Sequence, residues 1–113
     1  MDEHDWNFPF EEPLHEVFPA LHEAQNSWMS QIESLHAPDR KTTELIRMVV
    51  TVLNRNGEGV QRHATLAREV GATWDEILGS IMLTTPGAGL LPAVVAIPHA
   101  RRGYEAAREA EAD

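Results

Sequence analysis

The chain contains no cysteine, and that absence removes several chemistries at once. There is no thiolate to attack a peroxide or an acyl group, no disulfide to staple a small fold and no Cys-based zinc site. Positive charge is scarce as well: nine Lys and Arg stand against eighteen Asp and Glu, a net charge of −9. Such a surface opposes phosphate backbones and anionic membranes and offers no basic stripe for counterion release, so neither nucleic acid nor membrane is expected as a partner. The apolar–polar alternation of half-buried strands is missing too, which leaves an all-α chain. The opening MDEHDW lacks the basic and apolar regions of a secretory signal, and a cytoplasmic protein is expected.

What is present is 113 residues, enough for one small domain over 1–113 whose core stays modest unless another copy covers part of it. Residues 1–13 mix acids with Trp6, Phe8, Pro9, Phe10 and Pro13, too proline-broken for a helix and too aromatic for a plain solvated tail, so they read as an arm that packs on something. Apolar positions from Leu14 through Val17, Leu21, Ala24, Trp28, Ile32 and Leu35 recur at helical spacing and predict a first main helix over Pro19 to His36, with Pro19 tolerated in its first turn. Asp39 is placed to cap a second helix that is apolar almost all round, from Leu45 to Leu53, and is expected to be central and buried.

The turn Asn54-Arg55-Asn56-Gly57 leads into a third helix with Val60, Ala64, Ala67 and Val70 inward and Gly71 as its stop. Thr73-Trp74-Asp75-Glu76 has the form of a capping box and starts a fourth helix. Pro86-Gly87-Ala88-Gly89 is expected to be a loop, since two glycines and a proline remove both propensity and a donor. A last helix from about Pro92 carries Pro98, which should kink it, and ends in a charged stretch from Arg101 to Asp113 that is either solvated or laid on a partner.

Within this pattern Glu44 and His63 are polar residues on two consecutive, otherwise apolar helices. The run Asp39-Arg40-Lys41-Thr42-Thr43-Glu44-Leu45-Ile46 and the run from His63 through Gly71-Ala72-Thr73 to Ile77 resemble the carboxymuconolactone decarboxylase and alkylhydroperoxidase D superfamily, a resemblance that extends over roughly Phe18 to Ala107. It implies an all-α fold of about five to six helices with a central helical hairpin. Thiol-bearing members place a Cys-x-x-Cys pair twelve residues after the glutamate and a histidine four residues after the second cysteine; counting from Glu44 gives Asn56, Gly59 and His63. The histidine stands and the thiols do not, so peroxide reduction has neither attacking nor resolving group. The decarboxylase branch also lacks the cysteines and keeps a histidine at this place, and the chain is more similar to that branch. The small-residue loop of the family corresponds to Pro86–Pro92, one residue longer than usual.

If the second and third helices form an antiparallel hairpin, Glu44 and His63 stand roughly 15 and 9 Å from its bend across an interaxial gap of about 8–10 Å, close enough to touch directly or through one water. A carboxylate beside an imidazole fixes its tautomer and raises its basicity, so the pair can hold and deliver a proton. The plainer alternatives are a buried pair that only satisfies two polar groups, or Glu44 paired along its own helix with Arg47 or Lys41. His99 beyond Pro98 and Trp28 on the first helix are candidate substrate-binding residues for the same cavity; against these stand a surface histidine beside Arg101 and Arg102, and an ordinary core aromatic. Arg40, Arg47 and Arg62 could hold an anion, although helix geometry points Arg62 away from His63. His15 and His22, with Glu16 and Glu23, form no metal site by spacing, because Pro19 interrupts the helix and no third ligand follows; they are expected on a wet face.

The leading expectation is therefore an enzyme without metal or cofactor, similar to carboxymuconolactone decarboxylase, that moves protons on a small lactone or carbonyl compound, with His63 as acid/base and Glu44 as its orienter. Decarboxylation, isomerisation, dehydration and ring opening all fit that device. The alternative, from another class, is a non-enzymatic binding or accessory module on the same fold, with a pocket filled by Trp28, Met48 and Met82. Relatives assemble as trimers or trimers of dimers, and the resemblance implies a homo-oligomer, trimeric or hexameric.

Overall fold

The computed structural model describes residues 11–112, which fold into helices α1 (Glu12–Val17), α2 (Pro19–Glu33), α3 (Arg40–Leu53), α4 (Gly57–Glu69), α5 (Trp74–Met82), α6 (Thr85–Ala88) and α7 (Leu90–Ala112). No strand occurs among the described residues, and the all-α expectation holds. The chain falls into two compact units divided between Ala37 and Pro38.

The first unit is a pair of helices, α1 packed on α2. The arm expected at its start lies for the most part outside the described residues; its last two positions, Glu12 and Pro13, open α1 instead. Pro13 sits in the first turn, where its missing donor would have had no partner anyway. The apolar stripe expected to face inward on α2 is exposed at Leu21 and Trp28, and the residues buried there are His22 and Glu33. The wet-face reading of the histidines is thus corrected for His22. Its Nε2 lies 3.1 Å from Glu11 Oε1 and its Nδ1 3.2 Å from His15 Nδ1, so the ring is covered because it is hydrogen-bonded on both sides.

In the second unit, each helix boundary has a local cause. The Asp39 carboxylate accepts from the Thr42 N–H at 2.8 Å and caps α3, and that backbone bond holds the carboxyl below its ordinary pKa. Asn56, which stands where thiol-bearing relatives carry their first cysteine, caps α4 by accepting from the Gly59 N–H at 3.0 Å. Gly71, at φ +101°, ends α4 in the left-handed region that glycine adopts freely. Thr73 and Glu76 close a reciprocal capping box at the start of α5. Glu76 also accepts from Lys41 Nζ at 2.8 Å, which ties the first turn of α3 to that of α5; this bond lowers the carboxyl pKa and raises that of the ammonium, keeping both charged.

Two expectations need correction. Pro86–Gly89 is not plain loop: Thr85–Ala88 forms one helical turn, closed by Ala88 and Gly89 N–H groups onto Thr84 and Thr85 carbonyls. Pro86 lies in its first turn and Gly89, at φ +87°, stops it, so neither residue breaks the bonds that define it. The helix α3 is not buried all round either. Glu44, Met48 and Val52 form its covered row, while Ile46, Val50 and Leu53 on the far face are 46–52% exposed.

The final helix α7 runs through Pro98 as one element. Its charged end is packed on one side only: Gly103 and Ala107 continue the buried stripe of small residues Ala93, Ala96 and Ala100, while Arg101, Arg102, Arg108 and Glu109 stay exposed. That stripe lets α7 lie directly on α4, and a Cβ built on Gly103 would stand 2.2 Å from the Gln61 carbonyl oxygen. Thr65 Oγ1 donates to the Gly103 carbonyl at 2.8 Å, and Arg68 forms a two-pronged bond with Glu111. The contact predicts a contrast between two glycines. Gly103→Ala must push two backbones apart and is expected to cost about 2 kcal/mol, lowering the melting temperature by roughly 10 °C. Gly79→Ala on α5, where an added Cβ meets nothing within 4 Å, should raise stability by about 0.5–1 kcal/mol. Thermal denaturation of both variants checks the pair of signs.

Candidate functional site

Glu44 belongs to the row Glu44, Met48, Val52, spaced by four along α3, so an acid occupies the innermost face of an apolar helix. Its side chain is only 2% exposed. A carboxylate in such a place costs several kcal/mol unless it is paired and hydrogen-bonded. Both needs are met from the hairpin itself. His63 reaches across from α4 with Nδ1 3.0 Å from Glu44 Oε1, and Arg47, one turn further along α3, approaches Oε2 at 3.4 Å.

The expected meeting of Glu44 and His63 therefore occurs by direct contact, and the pairing with Arg47 weighed against it coexists with it on the second oxygen. Lys41 goes elsewhere, to Glu76. An ionised carboxylate only accepts, so Nδ1 carries the hydrogen and the other ring nitrogen, Nε2, is left as a lone-pair acceptor. Among the described residues Nε2 has no hydrogen-bond partner. The imidazole side chain is 19% exposed, against 2% for its carboxylate, so the orienting end is dry and the ring itself reaches the surface.

Within the second unit, His99 and Arg62 are not gathered around this pair. His99 lines a separate cavity of about 230 Å³ with Thr51, Val52, Arg55, Asn56, Gly57 and residues of α7, a wall that includes neither Glu44 nor His63. Trp28 lies on α2 in the first unit and is 62% exposed, so it fills no pocket. Met48 is fully buried in the core beneath Glu44, and Met82 is 39% exposed. Arg62 is exposed on a shallow groove with Glu58, Gln61 and Glu69, directed as the helix geometry predicted. A broader groove of about 690 Å³ runs along the outer face of α3, between Leu45, Ile46, Val49 and Val50 on one side and Leu83, Thr84 and Ala88 on the other.

The two positions at which thiol-bearing relatives carry cysteine have structural duties here. Asn56 is the cap of α4, and a Cβ on Gly59 would lie 2.6 Å from Thr51 Cγ2. The signal for this was legible as Asn-x-x-Gly at the head of a helix, where a side-chain oxygen must find the N–H three residues on.

The chain matches the model of the carboxymuconolactone decarboxylase family over residues 23–109, and it belongs to that family, with the alkylhydroperoxidase D-like helical fold. No curated protein and no solved structure matches it. No described helix is long and apolar enough to cross a membrane.

The pairing predicts unequal costs for its two ends. His63→Leu strips a buried carboxylate of its shorter bond and should lower stability by about 1–3 kcal/mol, whereas Glu44→Gln removes the buried charge and still accepts from Nδ1–H, costing less than about 1 kcal/mol. Urea denaturation measures both; a His63→Leu protein as stable as the parent would mean that the carboxylate does not rely on the ring.

Proposed function

We propose that this member of the family is a cofactor-free acid/base catalyst acting on a small lactone or unsaturated carbonyl compound. The observation that carries the proposal is the 3.0 Å contact of a 2% exposed Glu44 carboxylate with Nδ1 of a partly exposed His63. In decarboxylation of a lactone acid, the bond to the carboxyl carbon breaks, its electron pair passes into the substrate's own carbonyl as an enolate, and a proton then replaces carbon dioxide on carbon. His63 first takes a proton from solvent at Nε2 and then delivers it from there to carbon, and Glu44 holds Nδ1–H and offsets the imidazolium charge in between. The substrate's carbonyl is the electron sink, which is why no cofactor is invoked. The same proton shuttle serves isomerisation, dehydration or ring opening. Of the two binding groups expected beside it, His99 lines another cavity and Trp28 is exposed on α2.

A second reading, a non-enzymatic ligand-binding or accessory module, draws on the fact that both the 690 Å³ groove and the 230 Å³ cavity are lined by neither member of the pair. Solvent isotope exchange separates the two. Small unsaturated lactone acids incubated with the protein in D₂O should acquire deuterium at carbon, followed by NMR, and His63→Ala should abolish the exchange while the protein remains folded. Exchange that persists in His63→Ala removes the assignment, and none in the parent protein favours the module.

The chain is also proposed to act as a homo-oligomer, trimeric or hexameric. Ile46, Val50 and Leu53 on α3, Leu83 after α5, and Leu90, Leu91, Val94 and Val95 on α7 are large apolar side chains left 46–80% exposed, which another copy would cover. Light scattering at about 10 μM should return a multiple of 12.6 kDa; a monomeric mass contradicts it.

A further inference from the structure

The 230 Å³ cavity lies between the turn that joins α3 to α4 and the middle of α7, and no step of the proton transfer uses it. It is also separated from the Glu44–His63 pair: Thr51 and Val52, its floor on α3, stand seven and eight residues beyond Glu44, about 10–12 Å along the helix, with the buried Met48 between. We propose that this cavity is a binding site for a small monocarboxylate with a compact apolar body, of about the size of benzoate.

Its lining is divided in the way such a ligand requires. Val52, Val60, Pro92 and Ala96 form a buried apolar floor, and Leu91 and Val95 stand exposed at the rim. The polar side chains of the lining are Thr51, Arg55, Asn56 and His99, with Arg55 and Asn56 next in sequence to Gly57, which the His99 ring touches. His99 is fixed there by two contacts. Its Nδ1 lies 2.6 Å from Arg102 Nη2; a guanidinium only donates, so Nδ1 accepts and the ring carries its hydrogen on Nε2 as a donor. Its ring also rests on the backbone of Gly57, so closely that a Cβ there would come within 2.5 Å of Cε1. Glycine at position 57 is what gives the imidazole its place in the wall.

Arg55 supplies the charge. It forms no ion pair among the described residues, whereas Lys41, Arg47, Arg68, Arg101 and Arg108 are bound to glutamates; Arg62 and Arg102 likewise pair with no acid, but of the three only Arg55 lines this cavity. It also holds the left-handed backbone at φ +55°, a conformation that a long side chain adopts at a cost and glycine adopts freely. A cation kept at a strained position over an apolar cavity matches a carboxylate carried on a hydrophobic body. The volume sets the size: it is below the range of drug-sized pockets and equals about eight water molecules.

The test is an NMR titration of the ¹⁵N-labelled full chain with sodium benzoate, and with benzamide as its uncharged isostere. Benzoate should shift the amides of Gly57, Val95 and His99 saturably, and benzamide should bind about tenfold more weakly or less, the loss expected for a charge-assisted bond. Arg55→Gly keeps or improves the turn and should weaken benzoate about fivefold or more, as should His99→Gln. His63→Ala should leave benzoate affinity unchanged, which separates this site from the acid/base pair whatever the isotope exchange shows. Equal affinity for benzamide, indifference to both Arg55→Gly and His99→Gln, shifts centred on Glu44 and His63, or no saturable shift up to about 10 mM benzoate would each overturn the proposal.

Discussion

The absence of a side chain at Gly103 is the constraint on which the second unit depends. With the Gln61 carbonyl 2.2 Å from where a Cβ would sit, α7 and α4 are in backbone contact over a stripe of alanines, and the Thr65 hydroxyl closes on the Gly103 carbonyl. Close approach raises the number of dispersion contacts that small side chains can make, which compensates for their small individual area. Held on one side by α7, α4 presents its other side to α3, and His63 is thereby aimed at Glu44. The bond between them is a consequence of helix packing as much as of its own attraction.

Burying Glu44 is the cost attached to this arrangement, and the hairpin meets it with two partners on different oxygens. The result is polarised: the carboxylate end is sealed and the imidazole end is partly open. Such a gradient suits an orienting group behind a proton carrier, because the orienter must not exchange with water and the carrier must reach a substrate.

Local causes were legible in the chain. The Asp39 cap, the Thr73–Glu76 capping box, the stop at Gly71 and the inward positions Val60, Ala64 and Ala67 of α4 depend on neighbours three or four residues away, so the residue types there sufficed; Val70, expected in the same row, is 40% exposed because it lies at the cap beyond the last turn. The hairpin geometry followed from helix rise and loop length, and with it the meeting of Glu44 and His63. Illegible were features set by what lies on the other side. Pro86 and Gly87 read as breakers because nothing in their own neighbourhood says that one turn will close over them. The apolar far face of α3 read as buried because composition counts apolar residues and not the surfaces available to cover them. His22 read as wet because a histidine's burial depends on acceptors such as Glu11, whose approach no periodicity encodes.

By itself, then, the chain of residues determined an all-α, thiol-free, acidic protein of the carboxymuconolactone decarboxylase family with a glutamate and a histidine facing across a hairpin. Only the tertiary structure decided that Arg47 shares the carboxylate, that the charged end of α7 is packed on α4, and that His99 and Arg55 line a cavity apart from the pair. The physical reason is the range of the forces involved: caps and helical faces are set by neighbours along the chain, whereas burial, ion-pair partners and cavities depend on which residues distant in sequence come within a few ångströms.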